Sequence, residues 1–413
     1  MEKIKILFIP SDLAGVGHFR CIWPAQQINK DFSGEFDVEV NIHPNYDDFE
    51  YFTKFDIIHF HRELGAHDRM QNFFKRLKEA GVTLIVDIDD YWMPPTTHPL
   101  YLAVIKNKIN EKIVDVIIHA DYVTTTTEIF ADEIKKYNKN VFVMPNAIDA
   151  THQMWNGSDA KQTDKVRISW IGGSSHMRDL EIIRGEMNRL HNDDELKGKY
   201  QIIMCGFDTR GTATQIMPDG REVTRKILPH ETIWTKFEEI FTNNYSVCES
   251  DYIKYLKKYS KGEYTGKPVS ELDYLRRWTL PLTQYGKHYD YCDVCLAPLE
   301  ENKFNEVKSE LKMIESGFKK KVLIAQDFGA HGAIMKNGEN GILIPTKDNN
   351  KGWYKAIKKV ILDKDYREEL ANNLNKFVLE NYTLEVVTKK RVEIYKNIHE
   401  KKNKFKMAEY IIP

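Results

Sequence analysis

The sequence predicts an α/β chain folded as two doubly wound domains, each built on a parallel sheet. Three observations predict it. Short β-rich runs alternate with helix-length segments through both halves, as in strands joined by crossover helices. Many of these runs are nearly continuous in apolar residues, which fits strands covered on both faces. A small-residue loop follows the first strand of each half: Gly15-Val16-Gly17 in one, Gly172-Gly173-Ser174-Ser175 in the other.

In the first half, Ile4–Ile9 is a β-rich run, the loop 11–17 follows, and Arg20–Asn29 has helical character. Phe36–Asn41 alternates as a strand, and Phe55–Phe60 is a strongly apolar one. Asp68–Ala80 reads as an amphipathic helix stopped by Gly81, before the strand Val82–Val86. Lys106–Ala120 and Thr127–Tyr137 read as helices, with Tyr122–Thr125 and Val141–Met144 as strands. Pro145-Asn146-Ala147-Ile148-Asp149 and the polar stretch 157–165 mark a boundary, giving a first domain over 1–150.

The second domain spans 151–385. Its strands are Val166–Ile171, Tyr200–Cys205, Tyr291–Leu296, Val322–Ala325 and Gly341–Pro345. Its helices are Asp179–Leu190, Lys308–Gly317, Lys351–Ile361 and Asp365–Tyr382. The segment 207–285 is too long for a normal connection. It holds Pro218-Asp219-Gly220 and aromatic helical stretches around Trp234 and Tyr252–Tyr259, so it reads as a helical insertion. The tail 386–413 reads as a helix returning to the first domain, with a basic end at Lys401–Lys406.

The bulk numbers exclude several classes. At roughly 100–200 residues per domain, 413 residues suit two domains. The apolar share of 42% supports sizeable cores. Sixty Lys+Arg against 61 Asp+Glu give a net charge of -1, without the basic excess of a dedicated nucleic-acid binder. Cys21, Cys205, Cys248, Cys292 and Cys295 form no disulfide framework, which fits a reducing compartment. Cys292 and Cys295 have metal-site spacing, yet a strand through them turns their thiols to opposite faces, so buried thiols are expected. The apolar run at the N-terminus is too short for a signal peptide, and no run reaches the ~20 apolar residues of a membrane span. A cytoplasmic protein without a transmembrane segment is expected.

Four motifs carry chemistry. Gly15-Val16-Gly17-His18-Phe19-Arg20 follows the first strand, where bare backbone N–H groups at a helix start favour an anion. A plain tight turn is the alternative. Gly172-Gly173-Ser174-Ser175-His176-Met177-Arg178-Asp179 sits at the same place in the second half. A helix start prefers anions, so an anionic ligand would rationalise Arg178 and His176, while Asp179 suits a capping or first-turn place. Along 304–317, helical spacing puts Lys308, Lys312 and Glu315 on one side, with Ser309 beside them. Ammonium groups there suit a diphosphate and the carboxylate suits sugar hydroxyls; an exposed ion-paired face is the alternative. Last, Asp87, Asp89 and Asp90 end a strand, with His59 and His61 ending the one before. Strand C-termini open onto the ligand crevice of α/β sheets. Acceptor binding or a local structural role is favoured there over a divalent cation.

With these residues in place, the chain resembles the group 1 (family 4) retaining glycosyltransferases of GT-B type, as a divergent branch. The landmarks come in the family's order: the glycine loop with Arg20, the strand and threonine turn 120–127, and the Pro145–Asp149 joint. The strand 291–299, and Glu315 followed by Gly317 and 322–325, complete them. The sequence departs where the family's first glutamate stands, which here is Val307.

The resemblance implies two Rossmann-like domains with parallel sheets facing across a cleft. It implies a hexosyl- or pentosyltransferase moving a sugar from a nucleotide-sugar, UDP- or GDP-sugar foremost, to an acceptor hydroxyl. Retention is implied, with no metal and no cofactor. Lys308, Arg178 and His18 are the implied catalytic groups. Gly15, Gly17, Arg20, Gly172, Gly173, Ser174, His176, Ser309, Lys312 and Glu315 would bind donor. His61, Asp87, Asp89 and Asp90 would line the acceptor side. The acceptor is open among a glycan, a lipid-linked sugar, a small molecule, a protein and modified DNA. A nucleotide-sugar epimerase and a non-catalytic sugar-nucleotide-binding scaffold are the alternatives on the same fold.

Overall fold

The structure, a computed structural model, describes residues 2–158, 160, 162–208, 212–217, 221–227, 231–242, 274–348 and 351–409. The chain divides into two compact units. The first contains 1–151, 302–314 and 378–413, and the second contains 152–301 and 315–377.

The first unit holds six strands: β1 (Ile4–Ile9), β2 (Phe36–Val40), β3 (Ile57–His61), β4 (Thr83–Ile88), β5 (Tyr122–Thr125) and β6 (Val141–Val143). All pairs are parallel, in the order β2-β1-β3-β4-β5-β6. Period-2 alternation sends Leu7 and Ile9 to one face, against Phe74, Leu77, Ile117 and Phe130. Ile6 and Phe8 face the other side, with Ala25, Ile28, Val392, Tyr395 and Ile398. The helix Leu384–Glu409 therefore packs within this unit, while its basic end beyond 401 has no described side chains. The strand order reverses between β1 and β3, so their C-terminal ends flank the switch point where doubly wound sheets take ligands.

In the second unit six parallel strands run in the order β11-β8-β7-β12-β13-β14. They are β7 (Val166–Ile171), β8 (Tyr200–Phe207), β11 (Tyr274–Trp278), β12 (Val294–Ala297), β13 (Val322–Gln326) and β14 (Ile342–Ile344). Counted within the unit this is the 3-2-1-4-5-6 order of dinucleotide folds, with its switch point between β7 and β12. β9 (Thr212–Ile216) and β10 (Glu222–Lys226) form a separate antiparallel hairpin.

Several elements differ from expectation. The segment 207–285 is not simply a helical insertion. Among its described residues are the hairpin, the helix Ile233–Thr242 and β11, which pairs with β8 as an edge strand. A parallel pair needs a crossover, and Trp234, Phe237 and Phe241 seat that helix on Trp170 and Met204. The turn Pro218-Asp219-Gly220, the stretch Tyr252–Tyr259 and Cys248 lie outside the described residues. Residues 302–314, assigned by sequence to the second domain, belong to the first unit. β12 begins at Val294, so Cys292 precedes the strand that carries Cys295. Both are buried, as are Cys21 and Cys205. Among the described residues no helix is long and apolar enough to cross a membrane.

Candidate functional site

The second unit presents its site at the β7/β12 switch. Gly172 follows β7, and a Cβ there would lie 2.5 Å from the Trp170 ring. Gly206 has φ +98°, and a Cβ on it would meet the Gly172 carbonyl oxygen at 2.2 Å. Gly206 is thus required by its approach to Gly172, and Gly172 by the Trp170 ring. Gly173 has open space around it, and Ser174 is exposed beside it. Beyond them His176 precedes the short helix Met177–Glu181, with Nδ1 2.7 Å from Asp179. The other Asp179 oxygen accepts the Glu300 N–H at 2.8 Å, which ties the loop after β12 to the loop after β7. Arg178 is 60% exposed, with Nε 3.5 Å from Glu300. Asp179 stands in the first turn of this helix, one of its two expected places, and also bridges the switch, while Arg178 is the accessible cation of the group.

Glu315 belongs to this unit too. It is buried and accepts a hydrogen bond from the Tyr289 hydroxyl at 2.7 Å. The carboxylate expected to meet donor hydroxyls thus has a buried tyrosine partner.

The first unit corrects several expectations. Arg20 does not line a wall: it is 1% exposed. Its Nε and Nη2 bind Asp87 at 2.8 and 2.7 Å, and Nη1 reaches the Met144 carbonyl at 2.7 Å and Asn146 at 3.2 Å. Asp87, expected on the acceptor side, is buried in this pair. Burial alone would raise its carboxyl, but the charge and hydrogen bonds of Arg20, with His59 3.7 Å away, hold it well below the usual range. Thr124 donates to Asp87 at 2.6 Å and accepts from His59 Nε2 at 3.0 Å, so Nδ1 accepts from the Tyr395 hydroxyl at 2.6 Å. Burial lowers the His59 pKa, so the ring is neutral, as this chain of donors requires.

The first glycine loop is also occupied from within. Asp12 accepts from the N–H groups of Ala14 and Gly17 at 2.8 and 3.2 Å. A carboxylate of the chain itself fills the place expected for an anion, and a Cβ on Gly17 would strike the Asp12 carbonyl at 1.9 Å. Gly15 remains open. His18 hydrogen-bonds the Ala14 carbonyl at 2.9 Å and opens a five-residue π-helical turn, His18–Ile22, before the helix Trp23–Asp31. Such turns mark functional segments.

Lys308 and Ser309 are not on a helix. Lys303–Glu306 is one short turn, and the next helix is Leu311–Phe318. Lys308 lies in the break, 5.2 Å from the Phe304 ring centroid, and its charge acts on Asp90. Lys312 follows within the helix, half-buried. Glu310, which no sequence pattern singled out, occupies the turn before this helix. It is fully buried and accepts the Asn146 N–H at 3.1 Å. Burial pushes its carboxyl up to about 7.

At the β1/β3 switch a relay forms. Ser11 Oγ lies 2.6 Å from His61 Nδ1, and His61 Nε2 lies 2.7 Å from Asp89. With Nε2–H donated to the carboxylate, Nδ1 accepts from the serine. Arg62, at a positive φ of 61°, reaches Asp89 at 2.8 Å and Asp90 at 3.3 Å. Burial would raise Asp89, but His61 and Arg62 override it and hold Asp89 low. Partial burial and the Asp89 charge raise Asp90, whose side chain is 48% exposed. A cavity of about 570 Å³ opens beside them, lined by Ser11, Tyr46, His61, Arg62, Ile109 and Ile113. Ser11, the second residue after β1, is not among the sequence-predicted site residues, its one signal being its place at the start of the first loop. Arg62 carried no sequence signal, because nothing in its neighbours announces a left-handed residue.

The structure joins His61 to Asp89, Arg20 to Asp87, and His176 and Arg178 to the loop at Glu300. It assigns Lys308, Ser309 and Lys312 to the first unit and Gly172–Arg178 and Glu315 to the second. Among the described residues, no group of three His, Cys, Asp or Glu side chains is placed to hold a metal ion.

No protein-family profile matches the chain, and no curated protein matches it. Solved structures do. A glycosyltransferase from Rickettsia africae is 14% identical, with TM-score 0.60, over 96% of this chain and 99% of that one. HepE from Anabaena, solved with UDP, is 12% identical, with TM-score 0.57, over 95% and 100%. A further HepE structure contains UDP-glucose. Sucrose-phosphate synthase from Thermosynechococcus elongatus is 12% identical, with TM-score 0.57, over 96% and 99%. At these identities the likeness is one of fold, and the fold is GT-B: two Rossmann-like units, each on a six-stranded parallel sheet.

Proposed function

We propose that the chain is a glycosyltransferase that moves a sugar from a nucleotide-sugar, a UDP-sugar foremost, to an acceptor hydroxyl. The observation that carries this reading is the likeness of fold along nearly the full length of both chains. Among the proteins so matched is one solved with UDP and with UDP-glucose. Fold alone does not make an activity, so the site must supply the rest.

The second unit supplies a nucleotide-side geometry. Gly172 and Gly173 leave backbone bare at the switch point, Ser174 offers a hydroxyl, and Arg178 offers an accessible guanidinium for a diphosphate. Lys308 and Lys312 are proposed as further diphosphate cations, and Ser309 as a hydroxyl contact. Glu315 would act through Tyr289 and the base of the loop. On the acceptor side, His61, backed by Asp89, would hold the acceptor hydroxyl with Ser11. Catalysis would be electrostatic: fixed cations stabilise the leaving diphosphate while the acceptor is held in line. Retention, independence of metals and cofactors, and a cytoplasmic setting in which the free thiols stay reduced belong to the same proposal.

The test is a donor panel of UDP-, GDP-, ADP-, CMP- and dTDP-sugars, read as melting temperature and released nucleotide. A ligand that binds only the native state raises Tm by mass action. A shift and slow nucleotide release with one donor, both lost in Arg178→Ala, are expected. Silence with every donor contradicts the proposal and favours a non-catalytic scaffold.

A further inference from the structure

We propose that the helix Tyr101–Lys106, with its flanking residues, is a docking surface for an anionic lipid bilayer. This helix follows β4 in the first unit, and none of its residues is buried. Leu102 is 77% exposed, Leu100 60% and Ile105 41%. Three large apolar side chains within six positions leave an apolar patch facing water, which marks an interaction surface rather than scattered surface leucines.

The spacing makes the patch one-sided. Leu102 and Ile105 are three residues apart and Leu102 and Lys106 four apart, so they share a helix face. The cations lie at its edge. Lys106, Lys108 and Lys112 fall within seven positions, whereas Glu111 is the one acid between Met93 and Lys112. Glu111 stands 3.8 Å from Lys108. Lysine stems cover apolar surface while their ammonium groups reach for charge, so the set matches anionic head groups above acyl chains. A single short helix is small for a stable protein partner, which needs about 1,000 Å² of interface. Interfacial docking needs only a few apolar anchors and basic neighbours.

The patch also leads somewhere. Lys108, at φ 53°, turns the chain directly into the helix Ile109–His119. Ile109 and Ile113 of that helix line the cavity that holds Ser11 and His61. One turn therefore joins the exposed patch to the cavity's apolar wall. An acceptor carried in the bilayer interface would present its hydroxyl to His61 from that side; this consequence rests on the transferase reading, while the docking surface stands without it.

The experiment is flotation of the full chain with phosphatidylcholine vesicles, alone or with 40% phosphatidylglycerol by design, alongside UDP-glucose binding as a separate readout. Binding to the anionic vesicles, weakened by salt, is expected. Leu102→Ser is expected to weaken it roughly tenfold. Lys106→Ala, Lys108→Ala and Lys112→Ala together are expected to weaken it roughly 100-fold. Melting temperature should change little in both, since Leu102 is 77% exposed and Lys106, Lys108 and Lys112 are exposed or half-buried. Absence of binding to anionic vesicles, or binding indifferent to both variants, overturns the proposal. So does self-association that Leu102→Ser abolishes without any vesicle binding. Loss of vesicle binding with donor binding retained separates this failure from failure of the donor reading.

Discussion

Arg20 and Asp87 hold each other by two parallel hydrogen bonds of 2.8 and 2.7 Å, with both side chains sealed from water. The pair joins the π-helical turn at His18–Ile22 to the end of β4, and the remaining Arg20 donor reaches Met144 and Asn146 at the end of β6. It is thus a cross-brace under the C-terminal strand ends. An isolated buried charge is far costlier than a paired one.

Asp87→Ala should therefore lower stability by roughly 3–5 kcal/mol, seen as a fall in Tm or denaturant midpoint. The sign with pH follows from the Asp87 carboxyl lying well below its usual value in the folded state. Its stabilisation is complete above the unfolded value near 3.8 and is lost as pH falls further. A variant as stable as the parent at pH 7 would show that the pair does not brace the fold.

Glu310 gives the opposite pH dependence. Its folded value of about 7 lies above the unfolded 4.5, because burial penalises the carboxylate. Between these values the folded state holds a proton that the unfolded state has lost, so stability falls as pH rises from about 4.5 to 7 and is level above. Glu310→Gln should remove this slope and exceed the parent by up to about 3 kcal/mol at pH 8. Parallel stability curves for parent and variant between pH 5 and 8 would contradict the assignment.

Much of the fold could be read from sequence because both sheets announce themselves. Ile4–Ile9 and Val166–Ile171 were found with their boundaries intact, since buried parallel strands are unbroken apolar runs. β11 was not found. Tyr-Leu-Arg-Arg-Trp has too many cations for a buried run, and it is an edge strand in which Arg276 pairs with Glu238 at 2.9 Å. The spacing of Lys308, Lys312 and Glu315 suits one helix, because three- and four-residue spacing looks the same across the break between Glu306 and Leu311. Arg20 looked like a ligand residue for the reason that it is structural: a cation after a glycine loop suits a phosphate and a buried aspartate equally, and Asp87 is 67 positions away.

The glycines at the second switch point should separate by role. Gly206→Ala places a Cβ 2.2 Å from the Gly172 carbonyl at φ +98° and should cost about 2 kcal/mol or more. Gly173 has open space, so Gly173→Val should leave Tm within a degree or two while weakening nucleotide binding. Equal loss of stability in the two would deny Gly173 a ligand role.

His61 should matter for transfer and not for donor capture. In His61→Ala, UDP-sugar binding is expected to stay within twofold while transfer to acceptor falls roughly 10²-fold or more. Asp89→Asn should also lower transfer with donor binding retained, because Asp89 fixes the His61 ring by a 2.7 Å bond. Unchanged transfer in His61→Ala would remove the Ser11–His61–Asp89 relay from the acceptor site.

The most direct measurement is calorimetric titration of UDP into the full chain, repeated with Arg178→Ala and Gly173→Val. The proposed function predicts one saturable site in the parent, weakened at least tenfold in both variants, with melting temperatures unchanged in the absence of nucleotide. No heat with UDP, and none with GDP, ADP, CMP or dTDP, would contradict a nucleotide-sugar-dependent enzyme on this fold.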